Sequence, residues 1–403
     1  MAMYEGLAEA KRITSSLVLR PVIFASAEPW KRVPCDFFDM YGSLLLRQGA
    51  PINDAAYRVL IGRRLFCRAL EAEVFSPVDP LFTLAEIGET LSMVDAMVGA
   101  GDFVDVGCCA ELAEAVYDNW QLDPDACIGF TRLAYPASAS VTQSMLAALF
   151  AAELGSAHAF TRDEIIGLVG AALTMNLGSM RFHNEMAALH GPLPDELRPD
   201  LVDHPRYAAM ILQAIGVPEI WSRAVSQHHE NVDGSGYPGG LSKGNICLEG
   251  RMLRLVDILA ARFRVRRTRG ARYLSIAQTR DLGTLTQHMF GTDLDMLDLS
   301  LARLLMGRLG AFPPGSIVRL SNGELAVVSR RIHASVREAT NMPRDVLSFL
   351  DMRGKVLKVP RLRRIGSNDY RIQSYAHDDP HLLPASYDWA AIWGYSGGYS
   401  GGL

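Results

Sequence analysis

QHHENVDGSGYPGGL, residues 227–241, is the stretch from which both the architecture and the chemistry of the chain can be read. His228 and His229 close a predicted helix over 219–229. Adjacent imidazoles on a helix diverge by about 100°, yet both can reach a shared cluster if two metals, or one metal and its edge, lie close to the helix end. Gly234, Gly236, Gly239 and Gly240 then permit positive φ and close backbone approach, while Pro238 stiffens the loop. Tyr237 adds a hydroxyl and an aromatic face. A Gly-rich turn is common, and a His-His pair is as often structural as ligating; set immediately behind HHENV, the loop gains specificity.

Two further residues point to a metal. His204 stands at a His-Pro step, with Pro205 read as the first-turn proline of a helix. Asp257 lies in a predicted helix over 250–263 among Leu253, Val256, Ile258 and Leu259, and an acid on so apolar a face requires a partner. Imidazole with carboxylate suits hard or borderline divalent ions. His204, His228, His229 and Asp257 are therefore the expected metal ligands.

Working outward, the centre of the chain is helical. Val141–Leu154 is apolar on every side, and Thr161 to Glu164 spells a capping box for a helix ending before Gly178. From 81 to about 120, Leu84, Ile87, Leu91 and Val94 recur on one face. Before that, residues 17–24 and the pair flanking Tyr41-Gly42-Ser43 read as strands, with a helix over 54–65. After Phe312-Pro-Pro-Gly315 the period becomes two: 316–320, a turn at Ser321–Glu324, then 325–328, with more strand at 346–350 and 355–359. Helices are expected over 284–289 and 293–309. The end is rich in Tyr, Ser and Gly.

Composition sets the outer limits. The chain has 403 residues and a formal net charge of −4, too long for one core and too acidic to suggest DNA, RNA or an anionic membrane as partner. The six cysteines form no CxxC pair, which fits reduced thiols in a cytoplasmic protein. No signal-type leader opens the sequence, and no run reaches the roughly 20 apolar residues of a membrane span. Arg262, Arg264, Arg266, Arg267 and Arg269 form a basic run, read as a solvated helix end or a phosphate contact.

Residues 227–241, with Arg251 and Asp257 following, resemble the HD-GYP family of the HD phosphohydrolase superfamily. The loop HHExxDGxGYP falls on His228, His229, Glu230, Asp233, Gly234, Gly236, Tyr237 and Pro238; the family's His-Pro falls on His204-Pro205. The resemblance covers about 140–359. It implies a mainly α fold, an HD-domain helical bundle with a small N-terminal α+β module and a small C-terminal β extension. The expected division is 1–80 for the N-terminal module, 81–135 for a helical connection, 136–312 for the HD-GYP-like domain, 313–366 for the β extension and 367–403 for an irregular or disordered tail.

The resemblance also implies cyclic di-GMP or a related nucleotide as ligand, with Asp233, Gly234, Gly236, Tyr237, Pro238 and Arg251 as contacts, and a diguanylate cyclase or other signalling protein as partner. The HDxGK segment departs from the family. Its histidine falls on Met175, its metal-bridging aspartate on Asn176 and its lysine on Ser179; an earlier ligand histidine falls on Ala139 and a glutamate on Tyr135. Asn offers a neutral carbonyl where a carboxylate would offset two cations, and Met is a soft, weak donor. His183 and His190 are weak candidates for substitutes. The expectation is a chain lacking the HD metal ligands, weak or inactive as an enzyme, with no assigned catalytic residue. It holds one divalent ion (iron, manganese or zinc) or none, and it binds nucleotide or a partner. The alternative is an active metal-dependent phosphodiesterase acting on cyclic di-GMP or pGpG.

Overall fold

The computed structural model describes residues 19–22, 32–39, 42–52, 65–68, 79–102, 104–188, 194–263, 272–275, 291–331, 343, 345–366, 370–377, 383–384 and 387–395. The helix expected over 54–65, the helix over 284–289, His190 and the arginines from Arg264 to Arg269 lie outside these, apart from Leu65, which opens a strand.

Ten α-helices occur among the described residues: α1 (Pro80–Ala100), α2 (Val106–Leu122), α3 (Pro124–Ala134), α4 (Ala139–Ala157), α5 (Arg162–Thr174), α6 (Met180–Ala188), α7 (Arg198–Ile215), α8 (Glu219–Ser226), α9 (Leu248–Phe263) and α10 (Leu299–Leu309). Helix α4 explains the bundle. It has no polar face, so it must be surrounded; α3, α5, α6, α9 and α10 all pack on it, and every residue from Met145 to Leu154 is buried. The capping box at Thr161 and Glu164 forms as expected, the Thr161 backbone N–H donating to the Glu164 carboxylate at 2.7 Å. The helical stretch read over 81–120 is two helices, because Gly101 takes φ 78° and closes α1.

Small antiparallel sheets flank the bundle. β1 (Leu19–Val22), β2 (Phe37–Phe38), β3 (Leu44–Leu46) and β4 (Leu65–Arg68) lie in the order β1-β4-β2-β3. The second sheet runs β5-β10-β6-β7-β8-β9, from β5 (Arg272–Ser275), β6 (Ile317–Leu320), β7 (Leu325–Val327), β8 (Asp345–Leu350), β9 (Val356–Arg364) and β10 (Ile372–His377). The fold is thus a mainly α-helical bundle flanked by two small β-sheets.

Part of the segment expected as a loose tail is built in. β10 sits inside the second sheet, between β5 and β6. Beyond it Trp389, Ile392, Trp393 and Tyr395 are buried. A Cβ on Gly129 of α3 would lie 2.0 Å from the Trp393 ring, so a glycine there is what lets the indole in.

A buried ion network joins these parts. Glu153 of α4 accepts from Trp120 Nε1 at 2.9 Å and pairs with Arg331 at 2.7 Å; Arg331 also pairs with Asp125 at 2.5 Å. Asp123, which caps α3, pairs with Arg330 and accepts from the Tyr395 hydroxyl at 3.0 Å, while Arg330 donates to Leu19 O of β1 at 2.7 Å. Burial alone would raise the Glu153 carboxyl; Arg331 outweighs it, aided by Arg308 and Trp120, and holds it at about 2. Removing one partner of such a buried pair costs about 3–5 kcal/mol, because a charge is left without its counterpart.

Candidate metal centre

His204 is carried on α7, which begins at Arg198 rather than at the His-Pro step. The expectation of Pro205 as a first-turn proline is therefore corrected: Pro205 lies inside the helix. Lacking an N–H, it leaves the carbonyl four residues back, that of Leu201, without its helical donor. The His204 ring takes that place, Nδ1 lying 2.7 Å from Leu201 O. His228 follows α8, where terminal carbonyls also lack helical partners, and its Nδ1 lies 2.6 Å from Val225 O.

A carbonyl accepts and never donates, so both Nδ1 atoms carry the proton and both Nε2 atoms carry a lone pair. Those two Nε2 atoms lie 3.3 Å apart. Burial, with His228 next in weight, pushes His204 down to about 3; burial likewise takes His228 to about 3 and His229 well below its ordinary value. Two lone pairs thus face each other between neutral rings, an arrangement that an electrophile relieves.

Among the described residues, His204, His228 and His229 form a group whose donor atoms lie within 4.8 Å of one another and could hold a metal ion. The expectation that the chain lacks the HD metal ligands, and for that reason is weak or inactive, is overturned by this triad. Asp257 is not in the group. It stands beside it on the wall of a cavity of about 220 Å³, its Oδ1 accepting from Gln143 Nε2 at 2.7 Å. Ser140, Asn176, His183, Met186, Ala187, Leu201 and His229 complete the wall. The Oδ1 of Asn176 is buried with no hydrogen-bond partner. An orphaned carbonyl, paired lone pairs and neutral rings together fit a divalent ion.

The glycine-rich loop shapes this site from one side. Glu230 is buried and accepts from Gly239 N at 2.5 Å and Leu241 N at 2.8 Å, drawing the loop closed. Gly236 approaches so near that a Cβ would lie 2.3 Å from Asn231 N and 2.5 Å from His229 O. The Tyr237 ring consequently stacks on His229, centroids 4.7 Å apart and planes 25° apart. Burial, then Asp257, raises the Tyr237 hydroxyl, which stays protonated.

The remaining expected contacts are placed elsewhere. Asp233 is exposed and accepts from Ser235 N and Oγ at 2.9 and 2.7 Å; Gly234 takes φ 84°. Pro238 O accepts from Arg206 at 2.9 Å. Arg251 pairs with Asp298 at 2.5 Å and Lys243 shares that carboxylate at 3.1 Å; neither is on the cavity wall. Met175 is fully buried. Sequence reasoning missed Gln143, which faces Asp257 across 114 residues of chain, and Arg254, which contacts His229.

Residues 131–282 match the HD domain family. The chain is 26% identical over 279 residues to the cyclic di-GMP phosphodiesterase PA4108 of Pseudomonas aeruginosa, covering 67% of this chain and 63% of that relative. Among solved structures it is similar to Bd1817, an HDG"Y"P protein from Bdellovibrio bacteriovorus, at 11% identity and a TM-score of 0.39, over 71% of this chain and 98% of that one. No helix among the described residues is long and apolar enough to cross a membrane.

Proposed function

Because the chain carries an HD domain of the HD-GYP superfamily, related to cyclic di-GMP phosphodiesterases though divergent from them, we propose that its cavity binds a phosphodiester of cyclic di-GMP or pGpG beside one divalent ion seated at the histidine cluster. The observation that carries this reading is the 3.3 Å approach of two Nε2 lone pairs in neutral, buried rings. One ion suits the site, since the donor atoms of His204, His228 and His229 all lie within 4.8 Å of one another. Bound there, a divalent ion supplies Lewis-acid stabilisation of charge on phosphoryl oxygens.

The chain's own residues do the rest. His204 and His228 present lone pairs fixed by the Leu201 and Val225 carbonyls. Asn176 offers its carbonyl from the cavity wall, and Gln143 orients Asp257. At about 220 Å³ the cavity admits a phosphate group and its surroundings rather than a whole dinucleotide, since sites that enclose drug-sized ligands run to about 300–1,000 Å³. The bases therefore lie outside the cavity.

A second reading, hydrolysis at the same site, is favoured by Asp257: a carboxylate held on the cavity wall is placed to take a proton from an attacking water. One experiment addresses both. Protein purified anaerobically is analysed for metal, then tested for cyclic di-GMP and pGpG binding and turnover, alongside His228→Ala and Asp257→Asn. About one ion per chain is expected, with nucleotide binding that requires it and is lost in His228→Ala. Nucleotide binding that persists in metal-free protein overturns the proposal. Turnover abolished in Asp257→Asn, with binding retained, establishes the second reading.

A further inference from the structure

Summed over the chain the charge is −4, a total that disfavours an anionic surface as partner for the molecule as a whole. The end of the second sheet is a local exception. From Met352 to Asn368 the sequence carries six cations, Arg353, Lys355, Lys358, Arg361, Arg363 and Arg364, and no acid. Arg363 and Arg364 have partners within the fold, Glu324 at 2.7 Å and Asp345 at 3.4 Å. Arg353, Lys355, Lys358 and Arg361 are exposed and enter no ion pair among the described residues.

Three connections meet at this end. The β8–β9 hairpin turns between Asp351 and Lys355, closed by Asp351 N donating to Lys355 O at 2.9 Å, with Gly354 at φ 74°. The carboxylate of Asp351 accepts from the backbone N–H groups of Arg353 at 2.8 Å and Lys355 at 2.9 Å, so the one acid of the turn is occupied in shaping it. The β6–β7 turn lies alongside: a Cβ on Gly323 would be 3.7 Å from Met352 Cβ, and Arg319 Nη1 donates to Gly323 O at 3.5 Å. The chain entering β10 joins them, Ser321 N donating to Arg371 O at 2.8 Å and Arg371 N to Ser321 Oγ at 3.1 Å. Glu324, the acid of the second turn, is buried against Arg363 and Ser348. Arg319, Arg353, Lys355 and Arg371 are thus gathered where, among the described residues, every carboxylate is already engaged.

Met352 stands out among these cations with 65% of its surface exposed, and Val356 follows at 39%. A turn made by Asp351 and Gly354 has no need of methionine, though one exposed apolar residue is by itself ordinary. The setting distinguishes this one: an apolar wedge at the tip of a hairpin, beside cations whose stems are apolar as well. A folded acidic partner would require a broad complementary face. A narrow tip suits a bilayer, where the wedge enters between headgroups and the cations meet lipid phosphates and carboxylates. We propose that the end of the second sheet around Met352 docks on an anionic membrane surface. The contact is reversible, because a small wedge and a few charges fall short of a stable anchor. It goes beyond the nucleotide-binding reading and does not depend on it.

The full chain is sedimented with vesicles of phosphatidylcholine alone and of phosphatidylcholine mixed with phosphatidylserine, in low and high salt. Binding is expected only where phosphatidylserine is present, and to weaken in high salt. Each cation near an anionic leaflet is worth about fivefold in affinity, so Arg353→Gln/Lys355→Gln is expected to bind about 25-fold more weakly. Met352→Ser, which leaves the charge unchanged, is expected to lose affinity severalfold, and Met352→Leu to retain it. Arg181→Gln/Arg198→Gln removes two exposed cations elsewhere, on α6 and α7, each beside an acid of its own. This control is expected to bind as wild type does, and all four variants are expected to melt at the wild-type temperature.

Absence of vesicle binding, equal binding to the two lipid compositions, or a loss in the control as large as in Arg353→Gln/Lys355→Gln overturns the inference. Vesicle affinity indifferent to Met352→Ser, with poly-glutamate bound as tightly through Arg353 and Lys355, overturns it too, since the surface then reads acidic chains rather than lipid. Losses confined to Arg353→Gln/Lys355→Gln and Met352→Ser, at unchanged melting temperature, establish it. Metal content and nucleotide binding of these variants are expected to equal those of wild type, so that failure here leaves the proposed function standing, and failure there leaves this inference.

Discussion

The Nε2 atoms of His204 and His228 face one another at 3.3 Å, and neither ring has a proton to place between them, because each has committed its own to a backbone carbonyl through Nδ1. Burial first, and for His204 also His228, holds both rings down to about 3 against an ordinary value of 6.5. The sign of the consequence follows. Below about pH 6.5 the unfolded chain takes up protons that the folded chain refuses until about pH 3, so stability is full above 6.5 and is lost as pH falls through that window. Denaturant titrations of metal-free protein across it are expected to show stability declining steadily with acid, and less steeply in His228→Leu. A flat profile would mean that the rings are not buried as neutral groups.

Asn176 gives an opposite pair of expectations with and without metal. Its Oδ1 is buried on the cavity wall with no hydrogen-bond partner. Asn176→Asp places a charge there. In metal-free protein the unpaired carboxylate is expected to lower stability by about 1–3 kcal/mol or more; with a divalent ion bound the sign reverses, and metal content by elemental analysis rises. Thermal melts in chelator and in added manganese check this, and an Asp variant that is more stable in chelator would place Asn176 away from the ion.

The closed loop depends on one glycine more than on its neighbours. A Cβ at Gly236 would lie 2.3 Å from Asn231 N, 2.5 Å from Glu230 Cα and 2.5 Å from His229 O, all backbone atoms that cannot swing aside. Gly236→Ala is therefore expected to cost about 1–3 kcal/mol and to lift Tyr237 from the His229 ring. Gly244→Ala, in the same region but with nothing within 4 Å of its Cβ, is the control and is expected to leave stability unchanged. Equal melting temperatures for the two would show that the loop yields.

What the sequence made legible was local. The capping box, the apolar girdle of α4 and the strand pairs around Gly42 and Ser321–Glu324 are patterns complete within a few residues, and each formed. So did the convergence of His204, His228 and His229, through the motif that holds them. Gln143 and Arg254 stayed hidden because their roles arise only when α4 and α9 are packed: nothing within either helix marks a glutamine for an aspartate 114 positions away. The residues about Trp393 read as a tail because the partner that makes them core, Gly129, lies on another helix. The ion network failed to show for the same reason, since Asp125 and Arg331 are joined across 206 residues.

Pro205 carries a trade between stability and metal binding. A proline inside a helix costs up to about 3 kcal/mol relative to alanine, and α7 keeps it directly after His204. The lost N–H is what leaves Leu201 O open to the His204 ring at 2.7 Å. In Pro205→Ala the restored amide competes for that carbonyl, and His204 loses the bond that fixes its proton on Nδ1 and its lone pair on Nε2. The variant is expected to melt higher and to bind zinc about tenfold more weakly, within the range seen when a supporting hydrogen bond to a metal-bound histidine is lost. Denaturation in chelator reads the first effect and competition with a chelating indicator the second. If Pro205→Ala gains stability with zinc affinity unchanged, the Leu201 carbonyl does not orient His204 for the ion, and the proline serves the helix alone.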